Sequence, residues 1–201
     1  MITVNPRIRL VIDRSEGLEL RQIRLADAAD IFNIINRERD YLGKWLPFVA
    51  FTKTIDDTRK FIKSILRLPP DKTEYVFVIR YAGQTVGLAG FKDTDRINLK
   101  TEIGYWLSQS FQGKGIMIRS VKGLIRFAFN ELGLNCIKIR CAVGNSPSRH
   151  IPQKLGFQLE GIERAGERMQ DGEFVDLEIY SLLQKDPITC DYINFVQHHD
   201  S

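Results

Sequence analysis

The sequence predicts an α/β fold: a mixed, mostly antiparallel sheet of about seven strands with helices on both faces. Three observations carry this reading. Residues 103–143 run as strand, glycine-rich loop, long helix and strand, a βαβ unit whose strands should be parallel and whose crossover should be right-handed. Residues 75–91 read as two strands joined by the short turn Ala82-Gly83-Gln84, which makes that pairing antiparallel. Residues 157–183 close the pattern with two further strands.

The elements follow in order. Leu18–Leu25 reads as an early strand, with Ile8–Ile12 as a partner. Asp27 is placed to cap a helix carrying Ala28, Ile31, Ile34 and Ile35 at helical spacing. A second helix runs from Thr54 to Leu68 with Ile55, Phe61, Ile62, Ile65 and Leu66 as its apolar side, and stops at Pro69-Pro70. Strands are expected at 75–81, 85–91 and 102–107. The helix over 114–132 has the clearest stripe (Met117, Val121, Leu124, Ile125, Ala128, Leu132), and Gly133 is placed to end it. Ile137, Ile139, Cys141 and Val143 alternate with Lys138 and Arg140, a half-buried strand. A short helix over 147–155 and strands over 157–165 and 174–183 complete a single domain spanning 1–186. Residues 187–201 lack strong periodicity and read as a tail.

Bulk properties narrow the function. The chain has 201 residues, 43% hydrophobic and 27% charged, as in soluble globular domains. A net charge of +4 with interspersed signs suits an anionic cofactor better than a dedicated nucleic-acid surface. No apolar run approaches a membrane span, and the N-terminus lacks a signal peptide's apolar stretch, so a cytoplasmic location is expected. Three cysteines cannot make a disulfide framework; Cys136 and Cys141 should face opposite sides of one strand. His150 has no recognisable metal partner and His198-His199 has no third ligand, so no metal is expected.

The most informative segment is Phe111-Gln112-Gly113-Lys114-Gly115-Ile116-Met117. Closely spaced glycines between a strand and a helix turn backbone N–H groups toward one point, beside the positive end of the helix dipole. That arrangement receives a phosphate or diphosphate; a plain strand-to-helix turn would need the same flexibility. A P-loop is excluded, because counting from Gly113 puts Ile118 and Arg119 where glycine and lysine are required, and counting from Gly115 fails at every later position. A dinucleotide fingerprint from Gly113 would need glycine at 118, where isoleucine stands.

Beyond the next strand come Asn145-Ser146-Pro147-Ser148 and Lys154-Leu155-Gly156-Phe157. Gln-x-x-Gly, helix, strand, Asn-x-x-Ser and Lys-Leu-Gly-Phe in this order resembles the GNAT acetyltransferase superfamily. Leu20-Arg21, Trp45-Leu46-Pro47-Phe48, Glu102-Ile103-Gly104-Tyr105-Trp106, Glu160-Gly161, and Asp171-Gly172 followed by Asp176 and Tyr180-Ser181-Leu182 look like its ribosomal-protein N-acetyltransferase branch. The resemblance covers residues 15–185.

The resemblance implies a GNAT fold with a central splay between two parallel strands, near Trp106 and Val143, that admits the pantetheine arm of acetyl-CoA. Cofactor contacts would fall on Trp106, Leu107, the backbone of Gln112, Gly113, Lys114, Gly115, Ile116 and Met117, and Asn145. Methionine at 117, where the family has Gly or Ala, would narrow the space beside the diphosphate. Two carboxylates compete as general base: Glu167, the first choice, and Glu102, acting through water. Many of these enzymes use a tyrosine as general acid; Pro152 stands there, and Ser148 matches the alternative donor. The segment 41–48 would wall the acceptor site. The implied activity is transfer of an acetyl group to an amine, foremost the N-terminal α-amino group of a ribosomal protein, by a homodimer. A small amine such as a polyamine or antibiotic, or a non-catalytic acyl-CoA-binding role, is the alternative.

Overall fold

The computed structural model describes residues 8–69 and 74–193. His198, His199, Pro70 and the first seven residues lie outside the described residues. β1 (Arg9–Asp13) and β2 (Leu18–Gln22) pair antiparallel. The early strand ends at Gln22 rather than Leu25, because Leu25–Asp27 winds into a 3-10 turn governed by Asp27. Its carboxylate accepts from the Arg24 backbone N–H at 2.7 Å and from both terminal nitrogens of Arg21, at 2.5 and 3.2 Å. The expected capping role is thereby absorbed by the turn: α1 (Ala28–Arg37) begins without a side-chain cap.

α2 (Arg39–Gly43) follows directly. α3 (Ile55–Leu66) starts at a reciprocal capping box, Thr54 accepting from the Asp57 N–H while Asp57 accepts from Thr54. Its buried stripe is narrower than the sequence suggests. Ile62 is buried, but Phe61 and Leu66 are exposed, one lying a turn's fraction around from Ile62 and the other ending the helix. β3 (Val76–Tyr81) and β4 (Gln84–Asp95) form the expected hairpin. Both turn residues take positive φ (Ala82 +47°, Gly83 +78°), the conformation whose twist matches paired strands.

β5 (Lys100–Leu107) leads to α4 (Ile116–Arg126) and then β6 (Cys136–Ala142). The helix predicted to reach Leu132 changes at Phe127 into a π turn, in which the Leu132 N–H bonds the Phe127 carbonyl at 3.1 Å. Gly133, at φ +62°, ends it, and the Leu134 N–H returns to Ala128. α5 (Ser146–Lys154), β7 (Gln158–Arg168), β8 (Phe174–Leu183) and α6 (Pro187–Ile193) complete the order. Pro152 falls inside α5 and withholds one N–H, yet the helix continues to Lys154.

The sheet has eight strands in the order β1-β2-β3-β4-β5-β6-β8-β7, mostly antiparallel, with β5 and β6 the parallel pair. That parallel ladder covers only Lys100–Glu102 against Cys136–Lys138, whereas β6 pairs with β8 along its whole length.

Two compact units are distinguished. Among the described residues, the first comprises those up to Gly90 together with Tyr105–Ile116; the second, Phe91–Gly104 together with those from Met117 to Ile193. The first is centred on Ile23, Ile31, Ile34, Ile35, Ile62, Val78 and Trp106. Each fully buried aliphatic side chain there contributes about 1.5–3 kcal/mol relative to exposure. In the second, Val121, Leu124 and Ile125 of α4 are buried, as are Ile137, Ile139 and Cys141 of β6, and Phe91 stacks on Phe127. Residues 187–193, read from sequence as tail, form α6: Thr189 donates to the Leu183 carbonyl at 2.9 Å and the Tyr192 hydroxyl to the Leu155 carbonyl at 3.1 Å.

Candidate functional site

In the first unit, β5 ends at Leu107 and a 3-10 turn (Gln109–Phe111) delivers the chain to the glycine loop. Gly113 and Gly115 have φ of +73° and +68°, and a Cβ at either would meet nothing within 4 Å. Glycine is therefore needed for backbone conformation, not for room. Gln112, Gly113, Lys114 and Gly115 are all exposed, and α4 starts at Ile116 rather than Lys114, leaving first-turn N–H groups without intrahelical partners. The Gln112 side chain donates to the Tyr41 hydroxyl, and Lys114 Nζ lies 4.9 Å over the Phe111 ring.

Ile116 is fully buried. The Met117 side chain is only 6% exposed, so it belongs to the core rather than the loop surface, and the narrowing read from sequence does not follow. Trp106 and Leu107 also bury their side chains, which leaves the strand's main chain as their polar edge. That edge is crowded on one side: a Cβ on Gly87 would fall 2.3 Å from the Trp106 carbonyl oxygen.

In the second unit, Asn145 caps α5, its side-chain oxygen accepting from the Ser148 N–H at 3.3 Å. The cap role read from sequence is thus present, and the amide nitrogen of Asn145 is a further donor. Ser148 Oγ lies 3.3 Å from Cys141 Sγ on β6. The next residue, Arg149, reaches Glu178 at 3.4 Å, and Glu178 accepts from the Tyr180 hydroxyl at 3.0 Å. Burial, and then the bond to Glu178, pushes the Tyr180 hydroxyl above the usual phenol value.

The two candidate carboxylates differ in surroundings. Glu102, 9% exposed, is held between Lys92 Nζ at 2.8 Å and Arg140 Nε at 2.6 Å. Glu167 is half-buried and follows a bulge: Glu163 faces Leu177 and Glu167 faces Val175, so four steps on β7 oppose two on β8. Ala165 takes φ +50° in the bulge, and its freed N–H donates to Asp176 at 2.8 Å. Arg140 ties these acids together. Its Nη1 reaches Glu163 at 3.7 Å; burial alone would lower the guanidinium pKa, but Glu102, Glu163 and Glu167 raise it.

Sequence reasoning missed several contributors. Arg140 read only as the polar side of a strand, and Glu38, whose carboxylate holds Ser108 and Gln109, lies some seventy residues from them. No local pattern announces a contact of that separation.

Residues 17–158 match the family described as acetyltransferase (GNAT) domain. With the glycine loop at the start of α4 and the βαβ crossover into β6, this defines the class: the chain belongs to the GNAT acetyltransferase family and is an acetyl-CoA-dependent N-acetyltransferase. A Bacillus subtilis protein named "Putative ribosomal N-acetyltransferase YdaF" is 34% identical over 178 residues, covering 86% of this chain and 94% of that one. The ribosomal-protein-serine acetyltransferase of Escherichia coli is 28% identical over 83% of this chain and 93% of its own. Among solved structures, the microcin C7 self-immunity acetyltransferase MccE, in complex with acetyl-CoA and AMP, superposes with a TM-score of 0.79 at 28% identity. It covers 86% of this chain and 94% of its own. Among the described residues no group of three or more His, Cys, Asp or Glu could hold a metal ion, and no helix is long and apolar enough to cross a membrane.

Proposed function

We propose that this enzyme acetylates the N-terminal α-amino group of a ribosomal protein, acting in the cytoplasm as a homodimer, with Glu167 as general base. Two relatives named for the acetylation of ribosomal proteins support the acceptor class. The observation that carries the choice of base is the contrast between the two carboxylates. Glu102 has both oxygens engaged by cations, at 2.8 and 2.6 Å, so each is already occupied by a partner within the protein. Glu167 follows a bulge that re-aims its strand, the device by which sheets present side chains at sites.

The backbone N–H groups of Gln112–Met117 receive the diphosphate. The main chain at Trp106 and Leu107 and the amide of Asn145 receive the pantetheine arm. Glu167 takes the proton as the amine nitrogen bonds to the thioester carbon, and the C–S bond then breaks. Ser148 donates a hydrogen bond to the thiolate as it forms and keeps its own proton; Glu167 gives up to solvent the proton it took, and the thiolate takes one from solvent, so CoA leaves as the thiol. An α-amine titrates at about 7.7–8.0 against about 10.4 for lysine, so a base of ordinary strength suffices for a protein N-terminus.

The test is release of CoA thiol from acetyl-CoA with ribosomal-protein N-terminal peptides, polyamines and aminoglycosides. Turnover on peptides, abolished by blocking the α-amine and reduced about 100-fold or more by Glu167→Gln, is expected. Turnover on small amines alone would refute the acceptor, and full activity of Glu167→Gln would refute the base.

A further inference from the structure

Glu38 occupies the junction of α1 and α2, where its side chain is 11% exposed. One carboxylate oxygen accepts from Ser108 Oγ at 2.6 Å and the other from the Gln109 backbone N–H at 2.8 Å. Ser108 is itself 1% exposed, and its N–H donates to the Val86 carbonyl at 2.8 Å. Three residues beyond Glu38, the Tyr41 hydroxyl accepts from the Gln112 side chain. Glu38 at the junction and Tyr41 in α2 therefore hold the two ends of the five-residue stretch that leads into Gly113.

The sign of the charge is informative. A carboxylate near a loop that receives a diphosphate repels the ligand through space, so electrostatics alone would make Glu38 a liability. Arg37 pairs with the same carboxylate at 3.4 Å and offsets part of its charge, and its hydrogen bonds from Ser108 and Gln109 act the other way: they fix the direction in which the chain enters two residues of positive φ. Backbone donors can converge on one point only if that entry is fixed.

We propose that Glu38 is a positioning residue for the diphosphate of acetyl-CoA, acting through Ser108 and Gln109, with Tyr41 holding the far end of the same stretch through Gln112. This rests on the reading that places the diphosphate at Gln112–Met117. Because Tyr41 also opens the segment 41–48, the cofactor loop and that segment share one anchor.

The experiment compares acetyl-CoA with S-acetylpantetheine, which keeps the thioester and arm but lacks the nucleotide diphosphate. It uses the full-length enzyme and the variants Glu38→Ala, Glu38→Gln and Ser108→Ala, with thermal unfolding followed in parallel. Glu38→Ala is expected to raise KM for acetyl-CoA about 10-fold or more, as for loss of a hydrogen bond to a charged group, while kinetics with S-acetylpantetheine stay near wild type. Glu38→Gln keeps one acceptor oxygen and falls between. A KM for acetyl-CoA that is unchanged or lower in Glu38→Ala overturns the proposal, since simple removal of a repelling charge gives that result. Equal losses with both donors overturn it too, because they mark general damage. Should Glu38→Ala fail to fold, Ser108→Ala decides: a rise of about threefold confined to acetyl-CoA supports the role, and none refutes it. A wild-type enzyme using both donors equally well would instead refute the placement of the diphosphate, and the proposal with it.

Discussion

Replacing Glu102 by glutamine separates an anchor from a catalyst. The substitution keeps the shape of the side chain and removes the charge that binds Lys92 and Arg140 at 2.8 and 2.6 Å. Lys92 is 44% exposed, so its pair is screened and contributes about 0.5 kcal/mol. Arg140 is 28% exposed and also faces Glu163, and its closer, drier pair contributes about 1.5–2 kcal/mol. The expected loss is therefore about 2 kcal/mol, which in a chain of this size lowers Tm by about 4–8 °C. As an anchor Glu102 touches no reacting atom, so kcat with a good acceptor should fall by less than about fivefold, through a looser Arg140. Thermal unfolding and initial-rate kinetics on the same preparation provide the readout. A fall in kcat of about 100-fold at an unchanged Tm would refute the reasoning and make Glu102 the base.

Further predictions concern the loop, the sheet and pH. Gly113→Ala forces a Cβ onto a residue at φ +73° and should cost about 1–2 kcal/mol, read as a higher KM for acetyl-CoA and a Tm lowered by about 2–8 °C. Gly87→Ala is expected to prevent folding or to shift β4, since its Cβ would lie 2.3 Å from a backbone oxygen that cannot yield; a wild-type Tm would contradict this. Burial, the largest influence, and the nearby Glu38 raise the Tyr41 pKa above 10.0, against a smaller lowering by the Gln112 bond. The folded state thus holds that proton more tightly than the unfolded chain. Its contribution is complete below pH 10.0 and is lost as pH rises through the folded value, so unfolding scans above pH 10.0 should fall less steeply for Tyr41→Phe than for wild type.

The parts legible in the sequence are those fixed by local rules. Thr54 marks the start of α3, Ala82-Gly83 the β3–β4 hairpin, and Gly133 the end of the α4 segment, because caps and positive-φ turns are written within a few residues. The loop 111–117 was legible for the same reason. The π turn at 127–131 was not, because its 3.1 Å bond from Leu132 to Phe127 leaves the apolar stripe almost unchanged. Asp27 shows a different limit: it has the composition of a helix cap, and a pair of bonds from Arg21 decides its use instead. The environment of the two candidate bases was beyond reach as well. Lys92, Glu102, Arg140 and Glu163 come from four strands, and only the sheet's register brings their charges together.

Gly156 has a consequence outside the chemistry. Its φ of +75° ends α5, and a Cβ there would press on Ile188 of α6 at 3.1 Å, while Tyr192 holds the neighbouring Leu155 carbonyl. The helix that presents Ser148 is thus buttressed at its far end by seven residues beyond the stretch that matches the family. A protease that nicks the chain near Lys185 would loosen α5 from behind and silence the enzyme with every proposed catalytic side chain still attached.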